Sequence, residues 1–399
     1  MKRIFRKVHL WLSVPFGLII TIVCLSGACL VFEPEITALC RPHLNRVEVP
    51  DTPPLPIEQV LRNVQGSLPA GTEIKGVSIS ENPAEPWRVN LSQPRRAAVM
   101  VNQYTGEVLG RSERLPFFSF MFQAHRWLLD GSHSVGKTVV GVSTLVFAVV
   151  LLTGIVLWWP RRRQALKSGL TISTRRGLKR FWFDLHNAGG FYAFIFLLAM
   201  ALTGLTWSFG WYRTAFYALF GTEAQSPHSA PAQKGGATAR GGHGKGGEGQ
   251  TARHGGNGGE RGGRKGKGQA GRGEKDASAG PDFTQWQKVY DQLKDRYTDY
   301  RQIAVTDGTA TVGLPGLGNQ RASDRYTFQP ETGRLTQTTL YADTETAGKL
   351  RGWIYSVHVG SWGGWLTRIL AFCAALLGAS LPLTGYYLWW RRTRTKRRR

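Results

Sequence analysis

Four of the nine histidines occupy positions from which a metal could be held. His9 in KVHLWLS, His125 in FQAHRWLL, His186 in FDLHNAGG and His358 in SVHVGSWGG each stand at or just ahead of a long apolar run. Neutral imidazole is the commonest protein ligand for a transition metal, and a haem iron takes axial ligands from its two opposite faces. Imidazoles on facing helices supply that geometry, and filling both positions with histidine favours electron transfer over O2 binding. Spacing sorts the four residues. His9 precedes Gly27 by 18 residues, and His186 precedes Gly204 by the same 18. His9 and His186 therefore pair near one membrane face, and His125 and His358 near the other. His133 in GSHSVG lies closer to the second apolar run and competes with His125 for that site. Gly27 and Gly204 lie ~27 Å along a helix from their histidines. There they either make room for the second haem's macrocycle or let helices pack closely.

The elements that must position these residues are four apolar runs, at 11–32, 138–159, 188–210 and 366–390. Each is long enough to cross ~30 Å of hydrocarbon at 1.5 Å per residue. The formal charge of +25 is concentrated at the ends of those runs. Residues 2–7 carry four Lys/Arg, 161–180 carry eight and 391–399 carry seven, with no acid in any of the three clusters. Residues 231–280 add ten basic and four acidic side chains, and the remainder nets to zero. This is not the basic surface of a nucleic-acid-binding domain, and a soluble single-domain enzyme is excluded. Positive-inside logic puts both termini and the 161–187 loop in the cytoplasm, and 33–137 and 211–365 outside. The first run is too long for a signal-peptide core and no A-x-A site follows it, so it reads as an uncleaved span. Of the four cysteines only Cys40 lies outside a span, which leaves no disulfide framework there, and there is no C-x-x-C-H.

The chain also repeats itself. The second run ends LLTGIVLWWPRR and the fourth PLTGYYLWWRR. Each exterior segment reads as a helix (IEQVLRNVQ, FTQWQKVYDQLKD), short strands (KGVSIS and WRVNLS; RQIAVT and TATVGL) and a T-G hairpin turn (YTGEVL, PETGRL). The expected fold class is an α-helical membrane protein: a four-transmembrane-helix bundle built from an internal repeat, with two small exterior α+β modules. Its parts are a cytoplasmic segment and first span (1–32), a first exterior module (33–115), a His-containing segment and second span (116–160), and a basic loop (161–187). The third span (188–210), a second exterior module (211–350), a His-containing segment and fourth span (351–390) and a basic tail (391–399) follow. Residues 224–280 interrupt the second module with a Gly-rich tract, 19 Gly in the 50 residues from 231, which is expected to be disordered. His228, His243 and His254 belong to that tract.

At these residues the sequence resembles the PepSY-associated transmembrane family, whose better-understood members look like inner-membrane ferric-siderophore reductases. The matching features are the His-containing span starts, the L-T-G-x-x-L-W-W ends followed by Arg, the D-L-H-N-x-x-G entry and the T-G turns of PepSY-like exterior modules. The resemblance implies b-type haem, two per chain, held by His9, His186, His125 and His358, and reduction of a periplasmic Fe(III) chelate that releases Fe(II). It also implies a multi-pass protein of the bacterial inner membrane. The cytoplasmic segments carry no G-x-G-x-x-G unit to bind a flavin or nucleotide, so the electron donor is expected to be a quinol or a separate cytoplasmic reductase. Glu33, Glu35, Arg126 and Arg351 are candidates for docking the chelate. The competing function is a non-redox, membrane-anchored protein whose exterior modules bind peptides or a partner. A four-span transporter is disfavoured, because the spans carry no acidic coupling group.

Overall fold

The computed structural model describes residues 2–94, 97–160, 162–224 and 283–397. The Gly-rich tract, with His228, His243 and His254, lies outside the described residues from 225 onward. The helical elements of the first half are α1 (Lys2–Val31), α2 (Glu33–Cys40), α3 (Ile57–Ser67), α4 (Pro116–Trp127), α5 (Val135–Trp158) and α6 (Arg163–Leu170). Those of the second are α7 (Leu178–Asp184), α8 (Gly190–Ser208), α9 (Gly210–Ala218), α10 (Trp286–Arg296), α11 (Thr346–His358) and α12 (Gly364–Arg397). A π-helical turn, Leu185–Gly189, joins α7 to α8 and carries His186. Such turns recur at functional sites because they re-aim a side chain within an otherwise regular helix.

Among the described residues four helical segments are long and apolar enough to cross a membrane: Lys2–Val31, Val135–Trp158, Leu178–Ser208 and Ser361–Arg394, with mean hydropathy of 1.8 to 2.6. Leu18, Leu25, Val149, Leu152, Ile195 and Leu370 are exposed on them, as lipid-facing side chains must be. The bundle is a membrane protein whose interior is filled by Ile20, Phe147, Leu151, Leu197 and Leu381 among small residues such as Ala193, Ala201 and Ala374. Its buried polar side chains include Ser26, Thr153, Thr203 and Thr384. The basic tail is no loose appendage, since α12 continues through it to Arg397. Arg and Lys are good helix formers and favour the negative end of the helix dipole.

Eight strands lie between the spans: β1 (Ile74–Ser80), β2 (Trp87–Leu91), β3 (Ala98–Val101), β4 (Val108–Arg111), β5 (Gln302–Thr306), β6 (Thr309–Gly313), β7 (Ser323–Phe328) and β8 (Leu335–Thr339). They are not two separate modules. All eight form one antiparallel sheet in the order β4-β3-β2-β1-β5-β6-β7-β8. The joint is the β1–β5 pair, with Gly76 opposite Thr306, Val77 opposite Val305 and Ile79 opposite Ile303. A Cβ on Gly76 would stand 2.8 Å from the Val305 carbonyl oxygen, so the joint itself requires glycine. Burial alternates along β2, with Trp87, Val89 and Leu91 facing in and Arg88 facing out. The inward face meets α3 through Ile57, Val60, Leu61 and Val64 and α10 through Trp286, Val289 and Leu293, in one shared core. Gly106 and Gly333 turn the β3–β4 and β7–β8 hairpins with φ of +76° and +65°. Only glycine takes such angles without strain.

Candidate functional site

Each of the four histidines lies on one helix and is hydrogen-bonded to another. His9 Nδ1 donates to the Val150 carbonyl oxygen of α5 at 3.1 Å and to Thr153 Oγ1 at 3.0 Å. His186 Nδ1 makes the equivalent bonds to Leu381 O (3.1 Å) and Thr384 Oγ1 (2.9 Å) of α12. His358 Nδ1 reaches Met200 O (3.0 Å) and Thr203 Oγ1 (3.2 Å) of α8. His125 Nδ1 reaches Val23 O of α1 at 2.8 Å. A carbonyl can only accept, so Nδ1 carries the proton in all four rings and Nε2 presents its lone pair. That is the tautomer and the outer hydrogen bond of a metal-ligating histidine.

The helices are built to receive these rings. In each, the accepting carbonyl lies three residues before a Ser or Thr and four before a glycine: Val150/Thr153/Gly154, Leu381/Thr384/Gly385, Met200/Thr203/Gly204 and Val23/Ser26/Gly27. The carbonyl already accepts the N–H four residues on, that of the glycine. With no side chain at the glycine, its second lone pair stays open to an incoming imidazole. A Cβ at Gly27 would lie 2.9 Å from His125 Cε1, and one at Gly204 3.1 Å from His358 Cε1. For Gly154 and His9 the distance is 3.4 Å, and for Gly385 and His186 it is 3.5 Å. The Thr153, Thr203 and Thr384 hydroxyls donate to the same carbonyls at 2.9, 3.1 and 2.9 Å, which leaves a lone pair for the ring N–H. Ser26 Oγ donates to Ile22 O and Val23 O, and His125 rests on the carbonyl alone.

The rings then meet in two pairs. The centroids of His9 and His186 are 6.3 Å apart with planes at 90°, and those of His125 and His358 are 6.1 Å apart at 59°. Two imidazoles bound through Nε2 to opposite sides of one metal, each by a bond of about 2 Å, place their centroids roughly 6 Å apart. Among the described residues no group of three or more His, Cys, Asp or Glu could hold a metal, so each pair offers two protein ligands. Burial lowers the pKa of His125 and His358, the latter to about 4, and the Arg126 charge adds to the effect in both. Both rings are neutral at pH 7.

The structure also places the other candidates. The side chain nearest Gly27 is the His125 imidazole and the one nearest Gly204 is that of His358, so each glycine leaves room for a ring. His133 does not face His358: it sits at φ +57° with its ring stacked on Trp127, centroids 4.0 Å apart. Its loop is closed by Asp130, whose carboxylate accepts the N–H groups of Gly136, Ser132 and Ser134 and is held at a pKa of about 2. Glu33 and Glu35 are already engaged. Arg114 Nε lies 2.6 Å from Glu33, and both Arg368 guanidinium nitrogens meet Glu35, at 2.5 and 2.8 Å. Arg126 lies over the Trp127 ring, and Arg351 is exposed. Sequence position alone does not mark Thr153, Gly154, Thr384 and Gly385 as site residues, although both L-T-G stretches are visible in it. The signal that finds them is the recurrence of Ser/Thr-Gly once in each span.

No curated protein matches the chain. The family model described as the PepSY-associated TM region matches residues 6–392, nearly the whole chain, and this protein belongs to that family.

Proposed function

We propose that this membrane protein is a haem-dependent reductase that carries electrons across the bilayer to a ferric-siderophore or similar Fe(III) chelate. The observation that carries the reading is the pair of centroid separations, 6.3 and 6.1 Å, each between rings with Nε2 unprotonated. Two protein ligands per site suit a metal whose other four positions are filled by a macrocycle, and the neutral donors suit b-type haem, two per chain. Bound haem supplies a one-electron Fe(III)/Fe(II) couple at each site. The chain's own part would be to hold both imidazoles of a pair, set their basicity through the carbonyl and hydroxyl acceptors, and bury them away from water.

In this reading the two halves are a duplicated unit of span, strands, His-bearing helix and span. Both termini and the basic loop lie in the cytoplasm of a bacterial inner membrane, and the sheet lies in the periplasm. His9 and His186 form the inner site, and His125 and His358 the outer. About 27 Å of α1 separates His9 from Gly27, against which His125 packs, so the two sites together cover most of the ~30 Å barrier. The donor, a quinol or a separate cytoplasmic reductase, delivers one electron for each Fe(III) reduced. Hard oxygen donors hold Fe(II) less tightly than Fe(III), so the reduced iron is released.

An optical spectrum of the purified full chain, oxidised and then reduced with dithionite, tests this. Sharp reduced α and Soret bands with two haems per chain are expected. Protein that stays colourless after expression with ample haem overturns the reading in favour of a non-redox binding protein. The outer hydrogen bonds make a finer prediction. Thr384→Val preserves shape but removes one of the two acceptors at His186 Nδ1. Loss of an entire outer partner costs about 10–100-fold in metal affinity. With Leu381 O retained, haem transfer from the inner site to an apo-globin acceptor should reveal a smaller, few-fold weakening.

A further inference from the structure

At one corner of the sheet, where β1 ends and β5 begins, the structure holds a cleft of about 340 Å³ with a mixed polar and apolar lining. Glu81 N–H bonds Arg301 O at 3.3 Å and Arg301 N–H bonds Gly313 O at 2.8 Å, so both sheet halves build the cleft. The side chains that matter are Glu81, Asn82, Tyr300, Arg301 and Gln320, with Gly316 completing the wall. Arg301 Nη1 donates to Gln320 Oε1 at 3.1 Å, and Gln320 Nε2 donates to Gly316 O at 3.1 Å. Among the described residues no carboxylate pairs with Arg301, although Glu81 lines the same cleft. A guanidinium held by a neutral amide, with donors to spare and no acid on it, is a receptor for oxyanions. The volume lies within the range of small-molecule sites.

The cleft is tied to the histidine sites through one wall. The loop that follows β6 is clamped onto α11, where Gln320 N–H donates to Ser356 Oγ at 2.9 Å and Asn319 Nδ2 to Lys349 O at 3.2 Å, and onto the turn just after it, where Gly318 N–H donates to Trp362 O at 2.6 Å. Ser356 is fully buried and precedes His358 by two residues, which puts the two side chains on opposite sides of α11. A Cβ on Gly352 would collide with the Asn319 side chain at 2.2 Å, so the Asn319 amide lies directly against the α11 backbone. One helix thus carries an imidazole of the outer pair on one side and a wall of the cleft on the other.

We propose that this cleft is where the Fe(III) chelate docks, recognised as an anionic, oxygen-rich ligand whose carboxylate-type donors meet Arg301. The assignment rests on the reductase reading and adds to it the place and charge of the acceptor. One electron reduces the bound Fe(III) to Fe(II), and no bond of the chelator is broken. Glu81 opposes the ligand's charge, which gives the proposal two variants with opposite signs.

The test uses the full chain in detergent and Ga(III)–citrate, a redox-inert anionic chelate, with binding measured by calorimetry. Arg301→Gln is expected to weaken binding roughly 10–100-fold, the value of one charge-assisted hydrogen bond, and Arg301→Lys less. Glu81→Gln is expected to tighten it about two- to fivefold, which no loss of structure would do. The haem spectrum of Arg301→Gln should match that of the unmodified chain. Undetectable binding by the unmodified chain, equal binding by Arg301→Gln, weaker binding by Glu81→Gln, or free citrate binding as tightly as the chelate each overturn the docking site. Steady-state reduction of Fe(III)–citrate separates the two readings. An unchanged KM in Arg301→Gln removes the docking site and leaves the reductase standing. Arg301-dependent Ga(III)–citrate binding without any Fe(III) reduction by dithionite-reduced protein upholds the docking site and removes the reductase.

Discussion

Replacing His358 by alanine is expected to halve the haem bound per chain, and replacing His125 as well should remove nothing further. The two rings face each other at 6.1 Å, so one metal depends on both, and the second loss is already contained in the first. His9→Ala should likewise remove one haem, alone or with His186→Ala, because those rings meet at 6.3 Å. Only a variant that breaks one ring of each pair, such as His9→Ala with His358→Ala, should be colourless. His133→Ala should keep both haems, since its ring is spent on Trp127. Haem quantified per chain checks every one of these variants. A His9→Ala, His125→Ala double variant that retains one haem would contradict the pairing.

The spans are legible in the sequence because the bilayer imposes a length and a composition that few other folds need. The termini of α1 and α12 are not, since a basic helix end and a basic coil have the same composition. The fusion of the sheet is less visible still. β1 and β5 are separated by more than 200 residues and the Gly-rich tract, and a period-2 pattern specifies which face is buried without naming the neighbour. One residue hints at it: Gly76 inside KGVSIS, where a strand glycine marks a close backbone approach, here Val305.

The site shows the same division. The four histidines and the nearness of their rings follow from sequence position, because His9 and His186 stand at corresponding ends of their apolar runs, as do His125 and His358. Their receptors do not follow so easily. Thr153-Gly154 and Thr384-Gly385 stand in plain view in LLTG and PLTG, yet their use depends on a carbonyl four residues earlier being reachable from another helix. That is a property of packing, and no single helix displays it. The surroundings of Glu33 and Glu35, the docking candidates, are hidden from the sequence for a related reason. Each finds an arginine distant in sequence, Arg114 and Arg368, and an ion pair already made is not a free receptor.

The glycines permit a test graded by distance. Alanine at Gly27 would bring a Cβ within 2.9 Å of His125 Cε1, closer than real Cβ contacts occur, and alanine at Gly204 would stand 3.1 Å from His358. Gly154 and Gly385, at 3.4 and 3.5 Å, leave ordinary contact distances. Haem loss should therefore be greatest for Gly27→Ala, smaller for Gly204→Ala, and slight for Gly154→Ala and Gly385→Ala. His125 has the least freedom to retreat, because the Val23 carbonyl holds its Nδ1 at 2.8 Å and no hydroxyl offers a second anchor. Overpacking of this kind costs about 1–3 kcal/mol, or roughly 5–150-fold in outer-site affinity, and Gly27→Leu should empty that site. Alanine favours the helix itself by about 1 kcal/mol over glycine, so the span should not weaken as the haem is lost. Haem content falling at the outer site while the inner site and the melting temperature hold would identify the glycine as a seat for the imidazole. A loss of both haems together, or a drop in thermal stability with the haem retained, would instead identify it as a residue that packs helices.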